Sequence, residues 1–167
     1  MVCSDFTVAG SAVKYLSQQP VTVAILKDSN MHPVKERYRF GVLFDGSTIA
    51  EKVLKKTLSM MCDTSRLSII TVVEVGLQEH SILPKLNAIC GNRPFDHVIL
   101  QNEANMTIKQ RIKNYLREQS EDSDYVDFVA VGNRGLNMGN AVDGDDYLGT
   151  VARAMISMRK LNVIFVP

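Results

Sequence analysis

Two short clusters in this chain combine residue types and spacing that could hold an anionic ligand. The first is Gly132-Asn133-Arg134-Gly135, which follows the apolar run Asp127–Val131, together with Gly149-Thr150, which opens the apolar stretch Val151-Ala152. Glycines let backbone amides approach phosphate oxygens. A Gly-Thr pair at a helix start adds amide protons, a hydroxyl and the positive end of the helix dipole. The Arg134 guanidinium could pair with phosphate oxygens. The second cluster is Asp45-Gly46-Ser47, which ends the apolar run Tyr38–Phe44. Each cluster also has a purely structural use. Asp45-Gly46-Ser47 makes a turn and a helix N-cap. Gly132 and Gly135 suit a tight strand exit, and Arg134 suits a surface turn. The acidic residues between the glycines, Asp143, Asp145 and Asp146, would repel a triphosphate unless a divalent cation such as Mg²⁺ sits between them. They read equally as a solvated loop.

Other chemistries find no support in the residue order. Gly-x4-Gly-Lys-Ser/Thr does not occur, which excludes a P-loop ATPase, and Gly-x-Gly-x-x-Gly is absent too. There is no Gly-x-Ser-x-Gly elbow. His32, His80 and His97 are scattered. Cys3, Cys62 and Cys90 are odd in number and widely spaced, so neither a disulfide framework nor a zinc site is expected. No residue has an obvious claim to position an attacking water, so the sequence points to a binding protein without catalytic residues; the alternative, a weak ATP hydrolase, would need Asp143, Asp145 or Asp146 as metal ligand or base. The methionines fall on apolar helix faces as core filler.

Composition bounds the rest. The chain has 167 residues, 46% hydrophobic and 22% charged, with a formal net charge of +1. That is one domain able to bury a core, alone or with an attached fragment. A near-neutral charge argues against nucleic-acid or membrane-surface binding, which needs a basic excess. No apolar run approaches a membrane span, and no basic-then-apolar leader is visible, so the expected location is cytoplasmic.

The elements that must position the clusters follow from periodicity. Short apolar runs at Pro20–Leu26, Tyr38–Phe44, Leu67–Val75, His97–Gln101, Asp127–Val131 and Leu161–Val166 read as strands. Helical spacing appears in Ile49, Val53, Leu54, Leu58 and Met61, in Ile108, Ile112, Tyr115 and Leu116, and over Leu148–Arg159. Thr107 or Asn105 could cap the second of these helices. Gly76–Pro94, interrupted by Pro84, suggests no more than one or two short helical turns. Alternating strands and helices imply a parallel sheet covered on both faces. Ligands of such sheets sit at the carboxyl ends of strands, where strand order reverses. If the strands before Asp45 and Gly132 are neighbours, both clusters face one crevice.

Over Tyr38–Pro167 the sequence resembles the universal stress protein family. The resemblance is carried by Val42-Leu43-Phe44-Asp45-Gly46-Ser47, Asp127-Phe-Val-Ala-Val-Gly-Asn-Arg-Gly135, Gly149-Thr150-Val151-Ala152 and Val163-Ile164-Phe165-Val166-Pro167. It implies an α/β, three-layer Rossmann-like fold of the adenine nucleotide alpha hydrolase type, with a five-stranded parallel sheet of order 3-2-1-4-5. It also implies dimerisation and, in one branch, binding of ATP or AMP with or without Mg²⁺. In that branch Asp45, with Gly46 and Ser47, would meet the nucleoside end, and Val72 and Val73 would lie along adenine. Gly132, Asn133, Arg134, Gly135, Gly149, Thr150 and Val151 would line ribose and phosphates. The branch pattern is Gly-x2-Gly-x9-Gly-Ser/Thr, whereas thirteen residues separate Gly135 from Gly149 here. A member that no longer binds nucleotide and serves as a dimerisation or protein-interaction module is the alternative.

Residues 1–36 stand apart from the family-like domain at 37–167. Gly10-Ser11-Ala12-Val13-Lys14 leading into Val21–Ile25 echoes Gly149-Thr150 leading into Val163–Val166. The segment reads as a helix–strand extension and linker. It is either the remnant of a preceding repeat or a strand added to the edge of its own or a partner's sheet. A homodimer would form through the C-terminal edge strand or through this extension.

Overall fold

The computed structural model describes residues 21–27, 36–74, 82–102, 105–119, 126–133, 149–158 and 161–167. The elements run β1 (Val23–Ile25), β2 (Arg39–Leu43), α1 (Thr48–Met60), β3 (Arg66–Glu74), α2 (Ile82–Cys90), β4 (Asp96–Asn102), α3 (Ile108–Gln119), β5 (Phe128–Gly132), α4 (Thr150–Ile156) and β6 (Asn162–Val166). They form a six-stranded sheet of order β1-β6-β5-β2-β3-β4. The five strands from β2 onward are parallel and stand in the expected order. The sixth is β1, which pairs antiparallel with β6, Val23 opposite Phe165 and Ile25 opposite Val163. The extension's strand therefore joins the chain's own sheet. β6 is consequently not an edge, and the C-terminal strand expected at the edge of the sheet lies inside it. The helix expected near Gly10–Leu16 lies outside the described residues.

The strands are apolar on both faces because both faces are covered. On one face Val129 and Val131 of β5 and Val163 and Phe165 of β6 pack with Ile112 and Leu116 of α3 and Met155 of α4. On the other, Phe40, Val42, Ala130, Ile164 and Val166 pack with Val53 and Leu54 of α1 and Leu86 of α2. This division follows from crossover handedness. Right-handed connections running outward from β2 place α1 and α2 on one face, and those running the other way place α3 and α4 on the opposite face.

Local chemistry sets the helix ends. Ser47 caps α1, its hydroxyl accepting from the Ala50 amide at 3.1 Å. Thr107 and Gln110 form a reciprocal capping pair at α3: the Gln110 side chain accepts from the Thr107 amide at 3.0 Å, and the Thr107 hydroxyl accepts from the Gln110 amide at 3.4 Å. In α2 the sequence suggests only short turns, but the structure has one nine-residue helix. Pro84 is its third residue, where the backbone amide has no intrahelical acceptor, so the missing N–H costs nothing.

At the amino ends of the strands a buried polar link ties β1 to the sheet. Asn162, 7% exposed, accepts from the Lys27 amide at 3.0 Å and donates to the Asp127 carbonyl at 3.1 Å. The Lys27 ammonium donates to the Ile156 carbonyl at the end of α4, at 2.9 Å, where a cation complements the helix dipole. Asn162→Ala would leave both backbone partners without the side-chain amide. It is expected to lower stability by about 2 kcal/mol in urea unfolding, as for a buried hydrogen-bonding pair lost.

Candidate functional site

β2 and β5 lie side by side at the point where the strand order reverses, the place at which ligands of such sheets bind. Phe40 is opposite Phe128 and Val42 opposite Ala130. Extending that register brings Phe44 beside Gly132 and Asp45 beside Asn133. The two sequence clusters thus follow the carboxyl ends of neighbouring strands, which run about 4.8 Å apart. On the other side of β2, Leu43 is opposite Ile70 in β3, and the Phe44 amide still donates to the Ile70 carbonyl at 2.9 Å. β3 then runs on through Glu74. Val72 and Val73 therefore stand beside the turn that leaves β2, both half-buried.

The first wall is the turn at Asp45–Ser47. The Asp45 carboxylate accepts from the Ser47 amide at 3.0 Å, and Gly46 has φ of 82°. That left-handed backbone, and not a shortage of space, requires glycine there, since an added Cβ would meet no atom within 4 Å. Lys85 of α2 donates to the Gly46 carbonyl at 3.1 Å and pairs with Glu51 at 3.4 Å, buttressing the turn from outside.

The second wall is the exit of β5. A Cβ on Gly132 would lie 2.3 Å from the Ile49 Cγ2 and 3.2 Å from the Val53 Cγ2. Glycine here lets α1 pack against the sheet. Asn133 donates from its backbone to the Val166 carbonyl at 3.2 Å, and its own carbonyl accepts from the Gly149 amide at 2.8 Å. The two ends of the intervening segment are thus pinned together, and Gly149-Thr150 start α4 beside the β5 exit. Gly149 is the N-cap, without a side-chain cap. The first intrahelical bond runs from Arg153 to the Gly149 carbonyl at 3.0 Å, leaving the Thr150, Val151 and Ala152 amides without intrahelical acceptors. The side-chain oxygen Oδ1 of Asn133 is buried and makes no hydrogen bond. A buried acceptor without a donor is costly in a finished fold. The Asn102 Oδ1 at the end of β4 is likewise buried without a hydrogen bond.

Of the predicted site residues, Asp45, Gly46, Ser47, Val72, Val73, Gly132 and Asn133 lie at or just past the carboxyl ends of β2, β3 and β5, and Gly149, Thr150 and Val151 lie at the start of α4; the Asn133–Gly149 hydrogen bond joins the last two groups. Arg134 and Gly135 lie outside the described residues, as do Asp143, Asp145 and Asp146. Among the described residues no group of three or more His, Cys, Asp or Glu side chains is placed to hold a metal ion, and no helix is long and apolar enough to cross a membrane.

An exposed thiol, Cys62, lies at the opposite end of the sheet, in the turn between α1 and β3. Hydrogen bonds from the Ser65 hydroxyl at 3.0 Å and the Thr64 hydroxyl at 3.2 Å stabilise the Cys62 thiolate and lower its pKa to about 7. Burial pushes the Cys90 thiol the other way, upward.

Two outcomes follow. Gly132→Ala should lower stability by about 1–3 kcal/mol through overpacking. Adding Ile49→Ala should recover part of that loss, read as a non-additive term in a double-mutant cycle by urea unfolding. Alkylation of Cys62 by iodoacetamide, followed by peptide mass spectrometry, should rise through a midpoint near pH 7. Ser65→Ala should move that midpoint to higher pH, because the thiolate loses its strongest donor.

No protein-family model and no curated protein sequence matches the chain. Solved structures do. One is the crystal structure of a universal stress protein in complex with cAMP, 18% identical, covering 78% of this chain and 96% of its own, with a TM-score of 0.56. Another is a protein from the universal stress protein family from Burkholderia pseudomallei, 18% identical, covering 81% of this chain and 99% of its own, with a TM-score of 0.52. The chain has the α/β, Rossmann-like fold of these universal stress proteins, extended by the antiparallel strand β1.

Proposed function

We propose that the chain is a stress-response or signalling module of the universal stress protein type that binds an adenine nucleotide, ATP or AMP, in the crevice between β2 and β5. The observation that carries this reading is that the Asp45 turn, the end of β3 at Val72 and Val73, and the Asn133–Gly149 junction all follow the carboxyl ends of adjacent strands at the reversal of strand order. A fold neighbour in complex with cAMP supports the nucleotide class.

The residues present suit such a ligand by their chemistry. The Asp45 carboxylate would accept from ribose hydroxyls, and Val72 and Val73 would offer an apolar edge to the base. The Asn133 Oδ1, buried and unpartnered, would accept a hydrogen bond. The first amides of α4 and the Thr150 hydroxyl would face the phosphate side. α4 has only seven residues, so individual amides, not a long helix dipole, would do this. Binding then changes what the crevice rim presents to partners. The reading is a binding module and not a hydrolase.

A specific pair of contacts favours a second reading, a module that associates with proteins and holds no nucleotide. Gly132 is accounted for by its fit against Ile49, and the Gly149 amide is already given to Asn133. Two signature glycines thus have structural uses without a ligand.

The test is to denature the purified protein and chromatograph what is released, then titrate ATP, AMP and cAMP calorimetrically with and without Mg²⁺. Released adenine nucleotide or binding heat is expected. Asp45→Asn, which keeps an acceptor for the Ser47 amide, should weaken affinity about tenfold, the equivalent of 1.4 kcal/mol. Phosphate release should stay at the buffer rate. Neither released nucleotide nor heat at millimolar ligand would overturn the first reading in favour of the second.

A further inference from the structure

The sheet face that carries α1 is only partly covered. α1 lies over β5, where Ile49 and Val53 stand against Gly132. α2 runs along one flank of α1, joined to it by the Lys85–Glu51 ion pair at 3.4 Å and by Leu86 in the shared core. Beyond the other flank the sheet continues through β6 to β1. Side chains alternate between the two faces of a strand. Val23 and Ile25 of β1 pack on the opposite face, in the cluster that holds Met155 and Ile156 of α4. Thr22 and Ala24 therefore point to the α1 side, where Ala24 is the partner of Ile164. Ala24 is exposed there, and Val21 is 57% exposed. One face of β1 is thus packed and the other is bare.

The bare face forms a trough of about 600 Å³ lined by Lys52, Lys56 and Met60 of α1, Val166 of β6, and Val21 and Ala24. Its width suits one kind of element. Adjacent strands are about 4.8 Å apart, so β1, two strands from β5, lies roughly 10 Å to the side of α1. Packed helices lie about 8–10 Å apart. A helix laid beside α1 would therefore rest over β1, as α2 rests on the other flank. The charge on this flank is one-sided. Lys52 and Lys56 are exposed and stand one helical turn apart. Lys52 donates to the Pro167 carbonyl oxygen at 2.7 Å, and Lys56 pairs with no acidic side chain among the described residues. Met60, 42% exposed, extends the row by a further turn with an apolar side chain.

We infer that this trough docks an amphipathic helix of a partner protein, one whose apolar stripe is flanked by acidic residues four positions apart. The apolar stripe covers Val21, Ala24 and Met60. Two carboxylates at that spacing stand opposite Lys52 and Lys56, answering on this flank the role that Glu51 and Lys85 play between α1 and α2. A helix is the occupant because the trough lies on the face of the sheet, where α/β layers place helices, and because a helix satisfies its own backbone groups while its side chains fill an apolar groove. The small side chain of Ala24 leaves room for those of the incoming helix. Exposed ion pairs contribute little each, so the apolar contact supplies most of the affinity and the lysines select the acidic partner. The surface is separate from Asp45, Val72, Val73 and Asn133, so it does not depend on the crevice holding a nucleotide.

Fluorescence anisotropy with the full chain tests this. The probe is a labelled amphipathic peptide of leucine, alanine and glutamate, about fifteen residues long so that it can form a helix. The counter-probe has lysine at every glutamate position. Saturable binding of the acidic peptide alone is expected, weakening with added salt. Lys56→Glu and Met60→Asp should each weaken it about tenfold while keeping the wild-type urea midpoint. Lys109→Glu, the same change of charge at an exposed position of α3 on the opposite face, should leave it unchanged. Asp45→Asn should leave it unchanged too, which separates this surface from the crevice. Equal binding of both peptides, or an equal loss in the Lys109 variant, would overturn the inference. So would the absence of saturable binding, the result if the chain's own residues 1–20 or a second copy fill the trough.

Discussion

The lateral pairing of β2 with β5 is the constraint on which the rest of the structure depends. These strands are far apart in the chain, with Arg39 and Asp127 separated by 88 residues, and closing so long a loop carries an entropic cost. The contacts at the junction are correspondingly dense. Asp127 is 6% exposed. Its carboxylate accepts from the Arg39 amide at 2.8 Å and its own amide donates to the Arg39 carbonyl at 2.9 Å. One step along, Phe40 and Phe128 stack at 5.2 Å with their rings 15° apart, and Tyr38 meets Phe128 edge-on at 5.8 Å. Gly41 completes the fit, because a Cβ there would come within 2.9 Å of Val126. Polar pairing, aromatic stacking and a missing side chain thus fix a single register. That register decides which loops become neighbours at the other end of the strands.

Much of this was legible in the sequence because the signals are local. Uninterrupted β-branched runs such as Leu67–Val75 have no other comfortable state than a strand covered on both faces, and Ile108–Leu116 carries a clear apolar stripe. What was not legible depends on distant partners. Pro84 looks like a breaker until the frame of α2 is known, and then it occupies a harmless first-turn position. β1 has only three paired residues, and its attachment rests on Asn162, Lys27 and the Ile156 carbonyl, which no local window connects. The candidate site divides the same way. Asp45-Gly46-Ser47 announces a turn and cap from composition alone, whereas the fit of Gly132 against Ile49 comes from a helix much earlier in the chain.

The glycines of the crevice show why a motif alone is a poor guide to chemistry. Gly46 is needed for its left-handed backbone, Gly132 for the closeness of α1, and Gly149 lends its amide to the Asn133 carbonyl. All three demands come from the fold. Among the described residues, the first amides of α4 have no intrahelical acceptor, and Asn133 Oδ1 is buried without a hydrogen bond. Asn133 Oδ1 shares this condition with Asn102 Oδ1 at the end of β4, so its weight comes from its place beside the Gly149 junction.

β1 also changes what kind of strand β6 is. In a five-stranded sheet of this order the last strand would lie at the edge, with one row of backbone groups unpaired. Here every residue of β6 is buried, Phe165 and Val163 completely. Val163 and Phe165 bond outward to β1, while Ile164 and Val166 turn to β5, so the same four residues serve two ladders and two core clusters. The exposed edge has been moved one strand outward, onto a segment that differs from β6 in being short, uncharged and half-solvated. The requirement to manage an edge has not been removed. It has been transferred from a strand the core depends on to one held by a three-residue ladder and the Asn162–Lys27 link.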